Sequence, residues 1–242
     1  MFTIVATTLP TFEKGNLHFT ITTDRLIIRP LVRSDLEAYH SFRIQPEAMA
    51  HSRRGRPDAN IAETQARLEK LLEPSPNTLA YCGIFLKKSD GNEGELIGDG
   101  GMWDITSEQT GWPVFGYKFK KEHWGHGYAT EFATAYMQFW WTIDRTNVHI
   151  SVASCSVNFT DGILAPEQMY AWTTKENKAS QRVLEKVGFR SFEGLDNGLI
   201  NWRLEILYWF YFLRLFPSKV SYLNVNYADQ IKNLLYLNIT CR

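Results

Sequence analysis

Two glycines one residue apart, Gly125 and Gly127, are the centre of the stretch with the most chemical content. Before them, residues 114–119 read as a strand. After them, Ala129, Phe132, Ala133, Tyr136, Met137 and Trp140 recur at helical spacing. A strand, a glycine turn and a helix N-terminus together make an anion site. Glycine lets backbone approach a ligand closely, and the first helical turn offers unpaired N–H groups at the positive end of its dipole. A pyrophosphate suits such a site. The same glycines also suit a plain strand-to-helix turn, and that reading stands beside the first. Two phosphate-loop patterns are excluded by spacing. Tyr128-Ala129 follows the second glycine where a P-loop needs Gly-Lys-Ser/Thr, and no third glycine stands near position 130 for a dinucleotide fingerprint.

A second group lies further along. Asn177 stands at an N-cap position, Ser180 falls in the first turn, and Ala179, Val183, Leu184 and Val187 share one face. Gly188 sits where a helix C-terminus wants it. Asn177 and Ser180 would cap the helix in any case, and a chemical role is compatible with that. Near the start comes the run 23–31 (Thr-Asp-Arg-Leu-Ile-Ile-Arg-Pro-Leu), of which Leu26 to Leu31 reads as a strand. Ser34 and Glu37 are spaced as a capping box for the short helix that comes next.

Taken in order, these three motifs resemble the GNAT superfamily of acyl-CoA N-acyltransferases, and within it the branch that includes RimJ and RimL. The resemblance covers residues 21–205. It implies an α/β (α+β) fold: a central mixed, mostly antiparallel sheet with parallel, splayed strands four and five and helices on both faces. It implies acetyl-CoA as co-substrate and a small-molecule or peptide amine as acceptor. Pantetheine would lie along Tyr117, Lys118 and Phe119. The segment Trp124, Gly125, His126, Gly127, Tyr128, Ala129 and Thr130 would take the pyrophosphate, and Asn177 would bond pantetheine. Ser180 matches the position that protonates the departing thiolate, and a backbone N–H near Phe119 would steady the oxyanion. Two residues depart from the pattern: Glu122 stands where Gln or Arg is usual, and His126 where Lys is usual. No general base announces itself. Asp104, Glu108 and Glu131 are candidates by position, and Glu131 also suits the helix dipole.

Composition narrows the rest. With 242 residues, 44% of them hydrophobic, the chain can bury one good core and carry an appendage. Its formal net charge of zero lacks the footprint of a general nucleic-acid binder. The basic cluster Arg53-Arg54-Gly55-Arg56 reads as a solvated loop, or as a patch for an acidic substrate or the CoA 3′-phosphate. Cys82, Cys155 and Cys241 are scattered and odd in number, which argues for a reducing, cytoplasmic setting and against structural zinc. The histidines form no metal-ligand spacing, and no metal site is expected. Sequons at Asn158 and Asn238 match by pattern only, since the first residues lack the features of a signal peptide.

The remaining elements are set by punctuation. Residues 1–20 read as an irregular tail. Asn60 opens a helix that Pro74 and Pro76 stop. Residues 79–86 and 95–103 read as strands joined by a turn at 88–92. Residues 168–174 fit strand five, with 148–153 as an extension beside it, and residues 189–193 and 200–204 form a closing hairpin. From Ile206 to Arg242 the composition turns aromatic and Asn/Leu/Tyr-rich, too short in its apolar run to span a bilayer. A packed helix, a membrane-surface segment and a stretch never selected as protein are three open readings of it. An N-acetyltransferase is the leading function, and a GNAT-shaped CoA-binding or interaction protein without turnover is the alternative. Oligomeric state is left open.

Overall fold

The computed structural model describes residues 1–11, 19–73, 80–157 and 165–206. The first half of the chain contains β1 (Phe2–Pro10), β2 (Ile21–Thr22), β3 (Leu26–Arg29), α1 (Leu36–Arg43), α2 (Pro46–Met49), α3 (Ile61–Leu72), β4 (Tyr81–Lys87) and β5 (Glu93–Asp104). The second half contains β6 (Val114–Phe119), α4 (Tyr128–Trp140), β7 (Arg145–Ala153), β8 (Gln168–Thr173), α5 (Lys178–Val187), β9 (Arg190–Phe192) and β10 (Ile200–Glu205). The prolines at 74 and 76, both sequons and the segment after Ile206 lie outside the described residues.

Alternation along the strands sends side chains to two separate cores. Leu26, Ile28, Ile84 and Ile97 join Phe132, Tyr136 and Trp140 of α4 and Leu184 and Val187 of α5 on one face. Phe85 and Leu96 join Tyr39, Phe42 and Leu68 of α1 and α3 on the other. Phe132, Tyr136 and Trp140 are spaced four residues apart and fully buried, which places them on one stripe of α4. Burying each contributes about 1.5–3 kcal/mol before the entropy of ordering is counted. The result is an eight-stranded sheet in the order β2-β3-β4-β5-β6-β8-β10-β9 with helices on both faces. Every neighbouring pair is antiparallel except β6 and β8, which run parallel and are in register only at Val114 and Tyr170. The mostly antiparallel sheet with one splayed parallel pair matches the expected fold class. Among the described residues no helix is long and apolar enough to cross a membrane.

Four expectations need correction. The N-terminal residues are not irregular throughout: β1 pairs along its whole length with β7, from Phe2 opposite Ala153 to Pro10 opposite Arg145. The 148–153 strand therefore pairs with the N-terminus and not with β8. Its partner lies far away in sequence, so local punctuation could not identify it. At the start of α1, Ser34 and Glu37 make no capping box. A single 3₁₀ turn at Arg33–Asp35 intervenes, and the Asp35 carboxylate accepts from the Val32 amide at 2.8 Å. Finally, Ile206 belongs to the core, 5% exposed, with its amide donating to the Glu167 carbonyl at 3.0 Å.

Other signals behave as read. Asn60 caps α3 by accepting from the Glu63 amide at 3.0 Å. Lys88 N donates to Asn92 O across the β4–β5 turn at 2.8 Å. Glu167 closes the structure around β1: it accepts from Thr8 Oγ1 at 2.9 Å and from Arg145 Nε at 3.3 Å, while Val5 packs with Trp112, Val114 and Tyr170. A chain ending after Ile206 keeps every described core residue and is therefore expected to hold its melting temperature within about 3 °C. Removing residues 1–10 should lower it by more than roughly 5 °C, since it uncovers β7 and strips Glu167 of a donor. Differential scanning calorimetry of both shortened chains checks this, and aggregation of the 1–206 chain would show that the later residues cover the core.

Candidate active site

Backbone phase along β6 decides what the gap beyond Val114 can bind. Pro113 O accepts from the Tyr170 amide at 2.8 Å, so residue 113 faces β8, while Lys120 N donates to Ile97 O on β5 at 2.8 Å. Hydrogen-bonding groups alternate sides along a strand, so Tyr117 and Phe119 turn their backbone toward the gap and Gly116 and Lys118 turn theirs toward β5. The Trp124 indole fits this phase, donating to Phe119 O at 2.9 Å. The Tyr117 and Phe119 amides thus form an open edge in the middle of a sheet, able to pair with an extended ligand.

The glycine turn comes directly after. Gly125 and Gly127 hold φ of 79° and 83°, in the left-handed region that favours glycine. Gly127 is the N-cap of α4 and no side chain caps the helix. The first amide satisfied within it is that of Glu131, bonded to Gly127 O at 3.1 Å. The preceding amides of the first turn therefore point outward at the positive end of the helix. The loop's position is set from the turn between β2 and β3. Glu131 accepts from Thr23 Oγ1 at 2.6 Å, from the Arg25 amide at 3.0 Å and from Arg25 Nε at 2.7 Å. Arg25 also donates to His126 O at 2.9 Å and lies 4.6 Å from the centre of the Tyr128 ring. This clamp was invisible to spacing, because its halves are 106 residues apart.

Opposite the loop, α5 begins with Asn177 accepting from the Ser180 amide at 3.1 Å and ends at Gly188 with φ of 102°. Lys178, Arg182 and Lys186 are spaced four apart and all line the cleft, a cationic stripe that sequence reading missed although its period was there to see. Open edge, glycine turn and α5 share one cleft of about 870 Å³. Of the residues expected to bind or react, Tyr117, Lys118, Phe119, Trp124, Gly125, Gly127, Tyr128, Ala129, Thr130, Asn177 and Ser180 line it. His126 does not; its ring stacks on Tyr128 at 5.8 Å between centres. Glu122 points away as well, accepting from Gln45 Nε2 at 3.1 Å.

Two polar groups inside the cleft are notable. The Tyr117 hydroxyl is buried without a well-formed hydrogen bond, and Ser180 is the polar side chain facing it. Burial pushes the Tyr117 phenol well up, so it stays a proton-bearing donor beside Ser180. On the far side, the Lys118 side chain reaches Asp99 at 2.7 Å and Tyr81 at 2.9 Å, and Tyr39 donates to Asp99 at 2.9 Å. Burial lowers the Lys118 pKa despite Asp99. Asp99 is itself held below the usual carboxylate range, because Lys118, Arg43 and Arg67 outweigh its burial. Asp104 and Glu108, candidates for a base, do not line the cleft. Asp104 accepts from the Thr106 amide at 3.2 Å.

Residues 25–190 match the family model of the acetyltransferase (GNAT) domain. No curated protein sequence matches the chain. Among solved structures, a GNAT-family acetyltransferase from Bacillus anthracis is similar with a TM-score of 0.54 and 20% identity, covering 77% of this chain and 98% of that one. Spermidine N-acetyltransferase from Vibrio cholerae, solved with CoA and spermine, has a TM-score of 0.53 at 16% identity, covering 78% and 99%. Ribosomal-protein-S5-alanine acetyltransferase from Vibrio fischeri has 0.53 at 16%, covering 77% and 96%. At these identities the likeness is one of fold.

The clamp generates a prediction. Glu131→Ala removes the carboxylate that Thr23 and Arg25 share, at a cost of about 2–3 kcal/mol for hydrogen bonds to a charged group. The melting temperature should fall by roughly 5–10 °C. Pyrophosphate binding, measured by calorimetry below that temperature, should weaken because the loop loses its anchor.

Proposed function

The chain belongs to the GNAT acetyltransferase family, and we propose that it moves an acetyl group from acetyl-CoA to a primary amine of a small molecule or peptide, in the manner of the RimJ/RimL-like branch. What carries the reading is the meeting, in one cleft, of an open strand edge and an uncapped helix N-terminus behind two left-handed glycines. Acetyl-CoA suits these parts. Its pyrophosphate matches the outward amides after Gly127, with Lys178, Arg182 and Lys186 adding positive charge across the cleft. Its pantetheine arm, an amide-bearing extended chain, matches the Tyr117 amide, with Asn177 alongside, which leaves the Phe119 amide for the thioester carbonyl.

Acetyl-CoA supplies an activated acyl group; the protein's own residues do the positioning and move charge. The amine nitrogen attacks the thioester carbonyl carbon, and the Phe119 N–H is the donor to the oxygen that gains charge. One such donor is worth roughly two to three powers of ten in rate. As the carbon–sulfur bond breaks, the Ser180 hydroxyl gives its proton to the thiolate, and Tyr117, kept protonated by burial, orients that hydroxyl. The attacking amine loses one proton in the same turnover, and water relays it to the Ser180 oxygen, which restores the hydroxyl and closes the proton balance.

Two substitutions test the reading. Gly127→Val forces a β-branched residue into left-handed backbone, so acetyl-CoA affinity by calorimetry should fall at least roughly tenfold. Unchanged affinity in a folded variant would remove the site from this loop. Ser180→Ala should lower kcat by roughly one to two powers of ten, with KM for acetyl-CoA and the melting temperature little changed. A loss of rate that tracks a loss of stability would make Ser180 a structural cap and nothing more.

A further inference from the structure

The cleft has two cationic walls, and only one adjoins the glycine turn. Lys178, Arg182 and Lys186 of α5 stand on the phosphate side. The other wall comes from α1, the loop after α2, α3 and β6: Arg43, Arg53, Arg54, Arg67 and Lys118. Its carboxylates are fewer than its cations. Asp58 serves both Arg43, at 2.8 Å, and Arg54, at 3.4 Å, while Glu63 is shared between Arg54 and Arg56. Asp99 serves Lys118 at 2.7 Å. Arg53 and Arg67 form no direct ion pair among the described residues; Asp104 acts on Arg53 and Asp99 on Arg67 only from longer range, and Arg67 also interacts with the Tyr39 hydroxyl. Arg53 lies over the Trp103 ring at 4.9 Å, and Arg67 Nε is buried without a hydrogen-bond partner. Glu47 also lines this side, but Lys121 holds it at 2.6 Å.

Resting on the proposed acetyl transfer, we infer that the acceptor is an amine carrying a carboxylate, recognised by Arg53 and Arg67 on the wall opposite α5. Guanidiniums without a direct carboxylate partner are suited to a planar anion, which each can bind with parallel N–H donors. A polyamine would bring further positive charge to a wall that already has an excess, and like charges brought together in a partly enclosed cleft are disfavoured. The carboxylate could belong to a free amino acid or to an acidic peptide N-terminus. The chemistry at the wall is the same, and the two differ only in the length of chain attached beyond the amine.

Matched amines separate the possibilities. With acetyl-CoA saturating, thiol release is measured for 4-aminobutyrate, 1-butylamine and 1,4-diaminobutane, which share a chain and differ in the far group. The expected order is acid, neutral, diamine, with roughly tenfold or more in kcat/KM between the ends. Ala-Glu-Ala amide against 4-aminobutyrate then tells a peptide acceptor from a small one, with Ala-Gln-Ala amide as the control for side-chain charge. Arg53→Gln, at an exposed position that should not disturb folding, is expected to shrink the preference for the acid several-fold without changing KM for acetyl-CoA. Arg67→Gln should do the same where it folds. A diamine that equals or beats the acid overturns the inference. So does an Arg53→Gln variant that keeps the acid preference and loses acetyl-CoA affinity instead, since the wall would then hold a CoA phosphate. If no amine turns over, the proposed reaction fails. Calorimetry of the CoA-saturated protein with 4-aminobutyrate and 1,4-diaminobutane still decides the wall's preference: tighter binding of the acid upholds it and tighter binding of the diamine refutes it.

Discussion

The single register pair between Val114 and Tyr170 is the constraint on which the rest depends. A sheet interior normally leaves no amide unpaired, because a buried N–H without a partner costs about as much as a lost hydrogen bond. Here β6 is fully engaged with β5 on one side, and β8 with β10 on the other, so the sheet is two half-sheets meeting at a point. The junction is held from both flanks. Tyr170 bonds Asn201 at 2.6 Å and Gln109 at 2.9 Å, and the Trp112 indole donates to Ser156 at 2.9 Å. With that point fixed, divergence beyond it is the default, and the open edge of Tyr117 and Phe119 is its consequence.

A seam of this kind needs a buttress that touches both halves, and α4 supplies it. Its buried stripe packs under the strands of the first half while its flank meets α5, which belongs to the second. The same helix presents its N-terminus to the cleft, so the element that holds the seam together also turns its unpaired first-turn amides toward that cleft. Glu131 joins the two duties. It sits in the first turn, where an acid complements the dipole, yet its carboxylate is spent on Thr23 and Arg25. Such use leaves it no part as a base and explains why the strand at residues 26–29 and the glycine turn occur as one unit.

What could be read in advance was local. Gly125, Gly127, the Asn177 cap and the Gly188 terminus each act within a few residues of themselves, and each stands in the conformation its type demands. What could not be read was long-range pairing. The run Thr3 to Leu9 is rich in β-formers and could have been taken for a strand, but its partner, β7, is more than a hundred residues away. Ser34 and Glu37 had the spacing of a cap and lost to Asp35, one residue on, whose carboxylate also holds Arg29 at 2.7 Å and so gains more from the same position. Lys118 was read by its backbone, whereas strand phase turns that backbone to β5 and sends the ammonium to Asp99.

The two walls of the cleft differ in how firmly they hold their charge. Lys178, Arg182 and Lys186 are exposed helix residues, so salt screens them over roughly 8 Å and their flexible stems adapt to whatever anion arrives. That suits a phosphate-bearing ligand positioned mainly by backbone amides. Arg43, by contrast, is 1% exposed and locked in a bidentate pair with Asp58, and Lys118 is fixed between Asp99 and Tyr81. Charges held in place and away from water lose little to screening and reorganise little when a ligand enters. The wall carrying Arg43 and Lys118 is therefore the stiffer of the two, and the stripe on α5 the more adaptable.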